Sequence, residues 1–239
     1  MSKVQRQAWD AAYGPKNQAF LNADLKGKEL VRWKYQRYVK DYLRCVAAVD
    51  DGIGRILETL DKLNLSENSI VIYSSDQGFY LGEHGWYDKR WIYEESLKMP
   101  LVMRWPEKIK PGTIIKKLTQ NIDFAPFFLE AAEAEVPEEI QGMSLMPLFK
   151  KPNAEWRNAI YYHYYEAGGH GVPAHYGIRD ERYKLMHFPR TDEWNLVDLK
   201  EDPQEMKSFH DDPSYKNTLN QMRAKLSDLQ EKYDLETSL

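Results

Sequence analysis

Ser69-Ile70-Val71-Ile72-Tyr73-Ser74-Ser75-Asp76-Gln77-Gly78-Phe79-Tyr80-Leu81-Gly82-Glu83-His84-Gly85-Trp86-Tyr87-Asp88-Lys89-Arg90 is the stretch on which the reading of this chain turns. Its first seven residues are short, apolar and β-branched. They predict a buried strand, and the helical pattern before them predicts that its sheet is parallel. In open α/β sheets ligands gather beyond the carboxyl ends of strands. The strand ending at Ser75 therefore delivers Asp76 and Gln77 to a binding edge, and both offer the hard oxygen atoms that Ca²⁺ or Mg²⁺ requires. Three glycines follow, Gly78, Gly82 and Gly85, which let backbone approach a ligand closely. Lys89 and Arg90 then supply cations for an anionic group. From pattern alone a polar surface loop accounts for the segment equally well.

Working outward, Leu30 to Asn64 carries apolar residues at steps of three and four: Tyr35, Tyr38, Tyr42, Cys45, Val46, Val49, Ile53, Ile56, Leu57, Leu60 and Leu63. This predicts a long amphipathic helix, with a break expected near Asp51-Gly52. Residues 1–28 lack a period and read as a loop. After the central stretch, Pro100 to Trp105 reads as a second strand and Ile122 to Ala132 as a helix. Composition changes near Pro147–Pro152. Beyond it come strand-like runs at Ile160–Tyr165, His175–Arg179, Tyr183–Phe188 and Trp194–Leu199, with a hairpin turn at Asp180-Glu181. A last helix is expected over Pro213–Tyr233. The predicted class is α/β, with residues 1–150 as one domain and residues 151–239 as a small antiparallel sheet plus a helix.

Composition narrows the function. The chain has 239 residues, 42% of them hydrophobic, enough for one or two packed domains. The net charge is −4 and no long basic block occurs, which argues against a nucleic-acid partner. No apolar run reaches the ~18 residues of a membrane span, and Met1 to Asp24 lacks the apolar core of a signal peptide. Cys45 is the single cysteine, so an internal disulfide and a cysteine-rich zinc site are excluded.

Ser75-Asp76-Gln77-Gly78, Leu81-Gly82-Glu83-His84-Gly85, Lys89, Tyr93-Glu94-Glu95-Ser96 and Pro100-Leu101, in that order, resemble the second signature block of the type I sulfatases. These are formylglycine-dependent, calcium-dependent members of the alkaline-phosphatase-like superfamily. The resemblance extends through Asp123-Phe124-Ala125-Pro126, Gln141-Gly142-Met143-Ser144-Leu145, His175-Tyr176-Gly177-Ile178-Arg179, Tyr183-Lys184-Leu185, Leu196-Val197-Asp198-Leu199 and Asp202-Pro203 with Glu205. It covers roughly residues 30–210, and several ordered blocks are more specific than any one motif. The fold it implies is part of an alkaline-phosphatase-like sandwich, helices around a mixed sheet. The activity it implies is sulfuric ester hydrolysis, on sulfated carbohydrates. It makes Asp76 and Gln77 calcium ligands. It places Lys89 on the sulfate ester oxygens, where negative charge builds in the transition state. Arg90, His84 and His175 become candidate substrate contacts. For Arg90 an ion pair with Glu94 is the preferred alternative and for His84 a loop-fixing hydrogen bond; for His175 an ordinary place in a strand weighs equally.

The same resemblance sets what else to look for. The family's nucleophile is a formylglycine made within Cys/Ser-x-Pro/Ala-x-Arg. Cys45-Val46-Ala47-Ala48-Val49 has Val49 at the arginine position, and no serine fits. Cys45 lies on the apolar stripe and reads as a packed core cysteine. Asp50-Asp51 falls inside the long helix and reads as surface acid, unlike the family's paired aspartates after a first strand. The family's upstream sulfate-contacting histidine also has no match. Two ligands cannot fill a Ca²⁺ shell of about six to eight oxygens. The chain is therefore expected to be the C-terminal part of a sulfatase, inactive without an N-terminal half, and periplasmic or secreted where an upstream signal exists. The alternatives are a phosphonate or phosphodiester hydrolase of the same superfamily, and a non-catalytic anion- or glycan-binding protein.

Overall fold

The computed structural model describes residues 1–166 and 169–235, and the chain divides into two compact units, Met1–Lys62 and Leu63–Leu239. The first unit holds two helices, α1 (Lys3–Asn22) and α2 (Gly27–Lys62). Residues 1–28, expected as a loop, are thus mostly helix. The signal was a capping box: the Ser2 hydroxyl accepts from the Gln5 backbone while the Gln5 side chain accepts from the Ser2 backbone. The helix escapes a periodicity search because none of its residues is buried. The stacked rings of Phe20 and Trp33 join α1 to α2. Helix α2 runs unbroken through Asp51-Gly52 for 36 residues. Cys45 is exposed rather than packed, since the apolar stripe has no cover within its own unit. Asp50 and Asp51 are exposed on the helix, as expected.

In the second unit β1 (Val71–Ser74) pairs antiparallel with β2 (Leu101–Arg104), Ser74 opposite Leu101 and Val71 opposite Arg104. The expected parallel sheet is corrected here. A parallel neighbour needs a crossover that returns to the starting end. The segment after Ser75 instead folds above the strand end, forms the one-turn α3 (Glu94–Leu97), and sends β2 straight back. Behind this pair, α4 (Phe124–Ala131) and α5 (Met146–Lys150) contribute Phe127 and Leu148 to a core with Leu145, Ile72, Leu101, Met103 and Trp105. The fully buried Asp123 carboxylate just before α4 accepts from both guanidinium nitrogens of Arg157 and from the backbone of Gln120 and Met143.

The rest is a four-stranded antiparallel sheet in chain order: β3 (Ala159–Tyr164), β4 (His175–Asp180), β5 (Tyr183–Phe188) and β6 (Glu193–Asp198). Helix α6 (Lys216–Lys232) covers one face, where Leu219, Met222 and Leu226 meet Ile178, Leu185 and Leu196. The opposite face carries Met186 and Val197 with Ile92, and because side chains alternate along a strand it also presents His175, Gly177, Arg179 and Lys184. A Cβ at Gly177 would lie 3.0 Å from Ile92 Cδ1 and 2.3 Å from the Leu185 carbonyl, so glycine is what lets Ile92 seat on the sheet. The loop after β1 is thereby a second cover for this sheet. Fold class and the C-terminal sheet with its helix stand as the sequence predicts.

Asp198, at the end of β6, is fully buried and accepts from Arg182 Nε and Nη2 at 2.8 and 2.6 Å, from Tyr215 and from the Lys200 backbone. The Arg182 hydrogen bond, against the cost of burial, lowers its carboxyl from an ordinary 3.8 to about 2. A depressed acid stabilises the fold above its unfolded value, and that contribution fades as pH falls through the folded one. Asp198→Asn is expected to cost roughly 1–3 kcal/mol at neutral pH, with the deficit shrinking between about pH 4 and pH 2. Urea melts giving the same deficit at both ends of that range would contradict this.

Candidate functional site

The site begins where β1 ends. Asp76 is exposed, and its backbone carbonyl accepts from Asn121 Nδ2 at 3.0 Å. Gln77 is half-buried, and its Nε2 donates to both the carbonyl and the hydroxyl of Ser96, each at 2.7 Å. A carbonyl can only accept, so the atom facing it is the amide nitrogen, and Oε1 is the other branch of the same planar amide. Gly78 follows, and its N–H donates to the same Ser96 carbonyl at 2.9 Å. A Cβ there would sit 2.1 Å from the Glu95 carbonyl oxygen, so no other residue fits.

Beyond Gly78 the loop closes on itself. Tyr80 N–H donates to the Asp88 carbonyl at 2.8 Å and Gly82 N–H to that of Trp86 at 2.9 Å. Tyr80 is fully buried, with its hydroxyl on the Trp91 carbonyl at 3.0 Å. His84 takes a left-handed φ of 54°, stacks on Tyr93 at 4.4 Å between centroids, and sets Nε2 3.5 Å from Glu95. Trp86 and Trp91 stack at 4.8 Å, and Trp91 in turn lies on His175 at 5.4 Å. Trp86 and Trp91 are thus loop wall, and Trp105 is core.

His175 is fully buried among Trp91, Tyr162, Tyr164 and Phe188. Burial lowers its pKa, against the bond at 2.8 Å to the Pro173 carbonyl. The ring is therefore neutral with its proton on Nδ1, and its Nε2 is a buried acceptor with no hydrogen-bond partner among the described residues. Lys89 is exposed, and among the described residues its ammonium makes no ion pair. Arg90 pairs with Asp88, not with Glu94 as expected, because Glu94 is taken by two other cations. Beside Asp76 a cleft of about 360 Å³ is walled in part by Ser74, Lys98, Lys116, Lys117, Asn121 and Arg179.

What fixes the loop is a buried ion cluster that sequence reading left without a role. Lys184 on β5 is fully buried, with Nζ 2.5 Å from Glu205 and 3.1 Å from Glu94. Glu94 also receives Arg179 Nε and Nη2 at 3.2 and 3.1 Å. Glu205 Oε2 accepts the Glu94 backbone N–H at 2.6 Å, capping α3 from across the fold. Burial opposes the charged form of Glu94, yet Arg179 and Lys184 hold its carboxyl below the ordinary range. Burial pushes Glu205 above it despite Lys184. The one available signal was a lysine inside the apolar run Tyr183–Phe188.

As a cation site, Asp76 and Gln77 give one carboxylate and one amide oxygen of the right hardness. Among the described residues no group of three or more His, Cys, Asp or Glu side chains could hold a metal. The residues present therefore fit part of a hard-cation shell. No helix among the described residues is long and apolar enough to cross a membrane.

At the end of β1 the acid Asp76 and the amide Gln77 thus stand on a glycine-fixed loop that also carries Lys89. Residues 4–134 match the family described as Sulfatase, and residues 82–232 match the C-terminal region of N-sulphoglucosamine sulphohydrolase; the chain belongs to the sulfatase family. It is 47% identical to an N-acetylglucosamine-6-O-sulfatase of Bacteroides thetaiotaomicron, over 97% of this chain and 42% of the relative. It is similar to a solved structure in complex with its substrate D-glucosamine-2-N,6-O-disulfate, with a TM-score of 0.90, 45% identity, and coverage of 98% of this chain and 48% of that one. It also resembles a phosphonate monoester hydrolase of Agrobacterium radiobacter, with a TM-score of 0.70, 25% identity, and coverage of 79% and 40%. The chain spans less than half the length of these proteins. The family match begins at residue 4, so it takes in α1, which the sequence reading had left outside the resemblance.

Removing Lys184 leaves the buried Glu205 carboxylate without its cation and Glu94 with Arg179 alone. Lys184→Ala is expected to cost about 3–5 kcal/mol in unfolding free energy and to speed hydrogen exchange at Gly78 and Tyr80. A loss below about 1 kcal/mol, in the range of an exposed pair, would show that the cluster does not hold the loop.

Proposed function

We propose that this chain supplies the C-terminal half of the active site of a sulfuric ester hydrolase acting on sulfated glycans. The observation that carries the reading is that one hydrogen-bonded loop holds both Gln77, next to Asp76 at the end of β1, and the backbone from which Lys89 projects. Asp76 and Gln77 Oε1 would hold part of the shell of a Ca²⁺ ion, and segments outside this chain would supply the remaining ligands and the formylglycine nucleophile. The cation, when bound, would draw charge from the sulfate oxygens.

Lys89 does the work this chain can do alone. Its ammonium reaches the ester oxygens and offsets the negative charge that builds there as the S–O bond breaks. Arg90 adds a second cation near the same anion. His84 and His175 stand behind the stacked Trp86 and Trp91 and back the wall against which a sugar ring lies. The relative's 6-O-sulfated glucosamine is the substrate type favoured for this chain. We keep residues 1–150 as the catalytic α/β portion and 151–239 as the subdomain that backs it, and place the whole protein in the periplasm or outside the cell.

A second reading, phosphonate or phosphodiester hydrolysis, draws on the likeness to the phosphonate monoester hydrolase. The two separate on substrate. The complete enzyme is expected to cleave an aryl sulfate faster than an aryl phosphonate, and the reverse order favours the second reading. Lys89→Ala in that enzyme is expected to lower kcat on sulfate esters by about 10²–10³ with the fold intact, because the side chain is exposed. Near-normal turnover would remove Lys89 from the site.

A further inference from the structure

We infer that Ser96 is a positioning residue that locks the metal-facing amide of Gln77 and the substrate-facing Lys89 into one geometry. Ser96 is fully buried. Its hydroxyl accepts from Gln77 Nε2 at 2.7 Å and donates to the Lys89 carbonyl at 2.6 Å. Its own carbonyl accepts the other Gln77 Nε2 proton at 2.7 Å and the Gly78 N–H at 2.9 Å. The accounts close. A primary amide has two N–H bonds, and both end on Ser96. A hydroxyl has one proton, and the only partner here that cannot donate is the Lys89 carbonyl.

The consequence is directional. With both protons of Nε2 held by one residue, the amide cannot flip, and Oε1 is the atom turned away from Ser96. A glutamine side chain is long and otherwise loses much rotamer freedom on binding a cation. Ser96 removes that freedom beforehand. The same hydroxyl fixes the backbone from which Lys89 projects, so ligand and cation are set by one oxygen atom. Alanine at this position would strand one N–H and one carbonyl in a buried place, and the neighbouring Glu94, engaged with Lys184 and Arg179, leaves α3 no room to follow. Removing such outer partners of a metal ligand typically costs 10- to 100-fold in affinity or activity.

The inference rests on the sulfatase reading, and the test keeps the two apart. In the complete enzyme, Ca²⁺ affinity is measured by calorimetry and kcat and KM on an aryl sulfate. Ser96→Ala is expected to raise the Ca²⁺ Kd about 10- to 100-fold and to lower kcat by a similar factor, while Ser96→Thr, which keeps the hydroxyl, recovers most of both. Lys89→Ala is expected to lower kcat and leave the Ca²⁺ Kd unchanged. If Ser96→Ala melts at a lower temperature but keeps the wild-type Kd and kcat, Ser96 is a packing residue and the inference falls alone. If the wild-type enzyme neither binds Ca²⁺ nor cleaves the ester, the sulfatase reading falls and takes the inference with it. One measurement needs neither variant nor metal. In the nuclear magnetic resonance spectrum of this chain the side-chain amide protons of Gln77 are expected to exchange slowly with solvent, and free exchange would overturn the clasp.

Discussion

A single buried ammonium organises the site half of this molecule. Lys184 rises from the middle of the C-terminal sheet into a place without solvent and meets Glu94 and Glu205 there. Burying a cation is costly unless its partners are close and themselves satisfied. Here Arg179 completes Glu94, and the Glu94 backbone completes Glu205. Three segments distant in sequence are thereby joined: the loop after the first strand, the sheet, and the turn after the last strand. Glu205 takes a left-handed φ of 53° to reach its place, a conformation that an isolated turn would seldom choose. The loop after the first strand is therefore a layer of the fold, seated on the sheet through Ile92, rather than a free excursion.

This arrangement gives most residues of the signature block a structural task. Gly78 is there because a Cβ would strike the Glu95 carbonyl. Tyr80 fills the loop and ties off the Trp91 carbonyl. His84 bends the backbone and packs on Tyr93. Ser96 closes the hydrogen bonds of Gln77. Between Asp76 and Arg90 the side chains of Asp76, Glu83, Tyr87 and Lys89 are the exposed ones. An active site needs its few reacting groups held within fractions of an ångström, and most of the motif does that holding.

The sequence made the β-strands of the C-terminal half legible, because alternation along Tyr183–Phe188 and Trp194–Leu199 and the closing amphipathic helix are strong local signals. Asp76, Gln77 and Lys89 stand out in it as candidates through residue type and order. It hid the helix at Lys3–Asn22, which is held by its cap and its own backbone and has no buried face to create a period. It suggested the wrong sheet direction, since a preceding helix says nothing about which way the following loop turns. It misplaced the partner of Arg90 and the environment of Cys45, because both depend on neighbours that are remote in sequence or on cover that the helix stripe lacks within its own unit. The ion cluster was hidden for the same reason: no local pattern shows that Glu94, Lys184 and Glu205 meet.

The most direct measurement is hydrolysis by a chimera. In it this chain replaces the matched C-terminal segment of the N-acetylglucosamine-6-O-sulfatase relative, leaving that protein's own N-terminal part in place. The account predicts a folded, Ca²⁺-dependent enzyme that releases sulfate from 6-O-sulfated glucosamine and loses that activity on chelation. A chimera that folds, carries its matured nucleophile and remains inert with Ca²⁺ present would contradict the claim that Asp76, Gln77 and Lys89 form half of a sulfatase site.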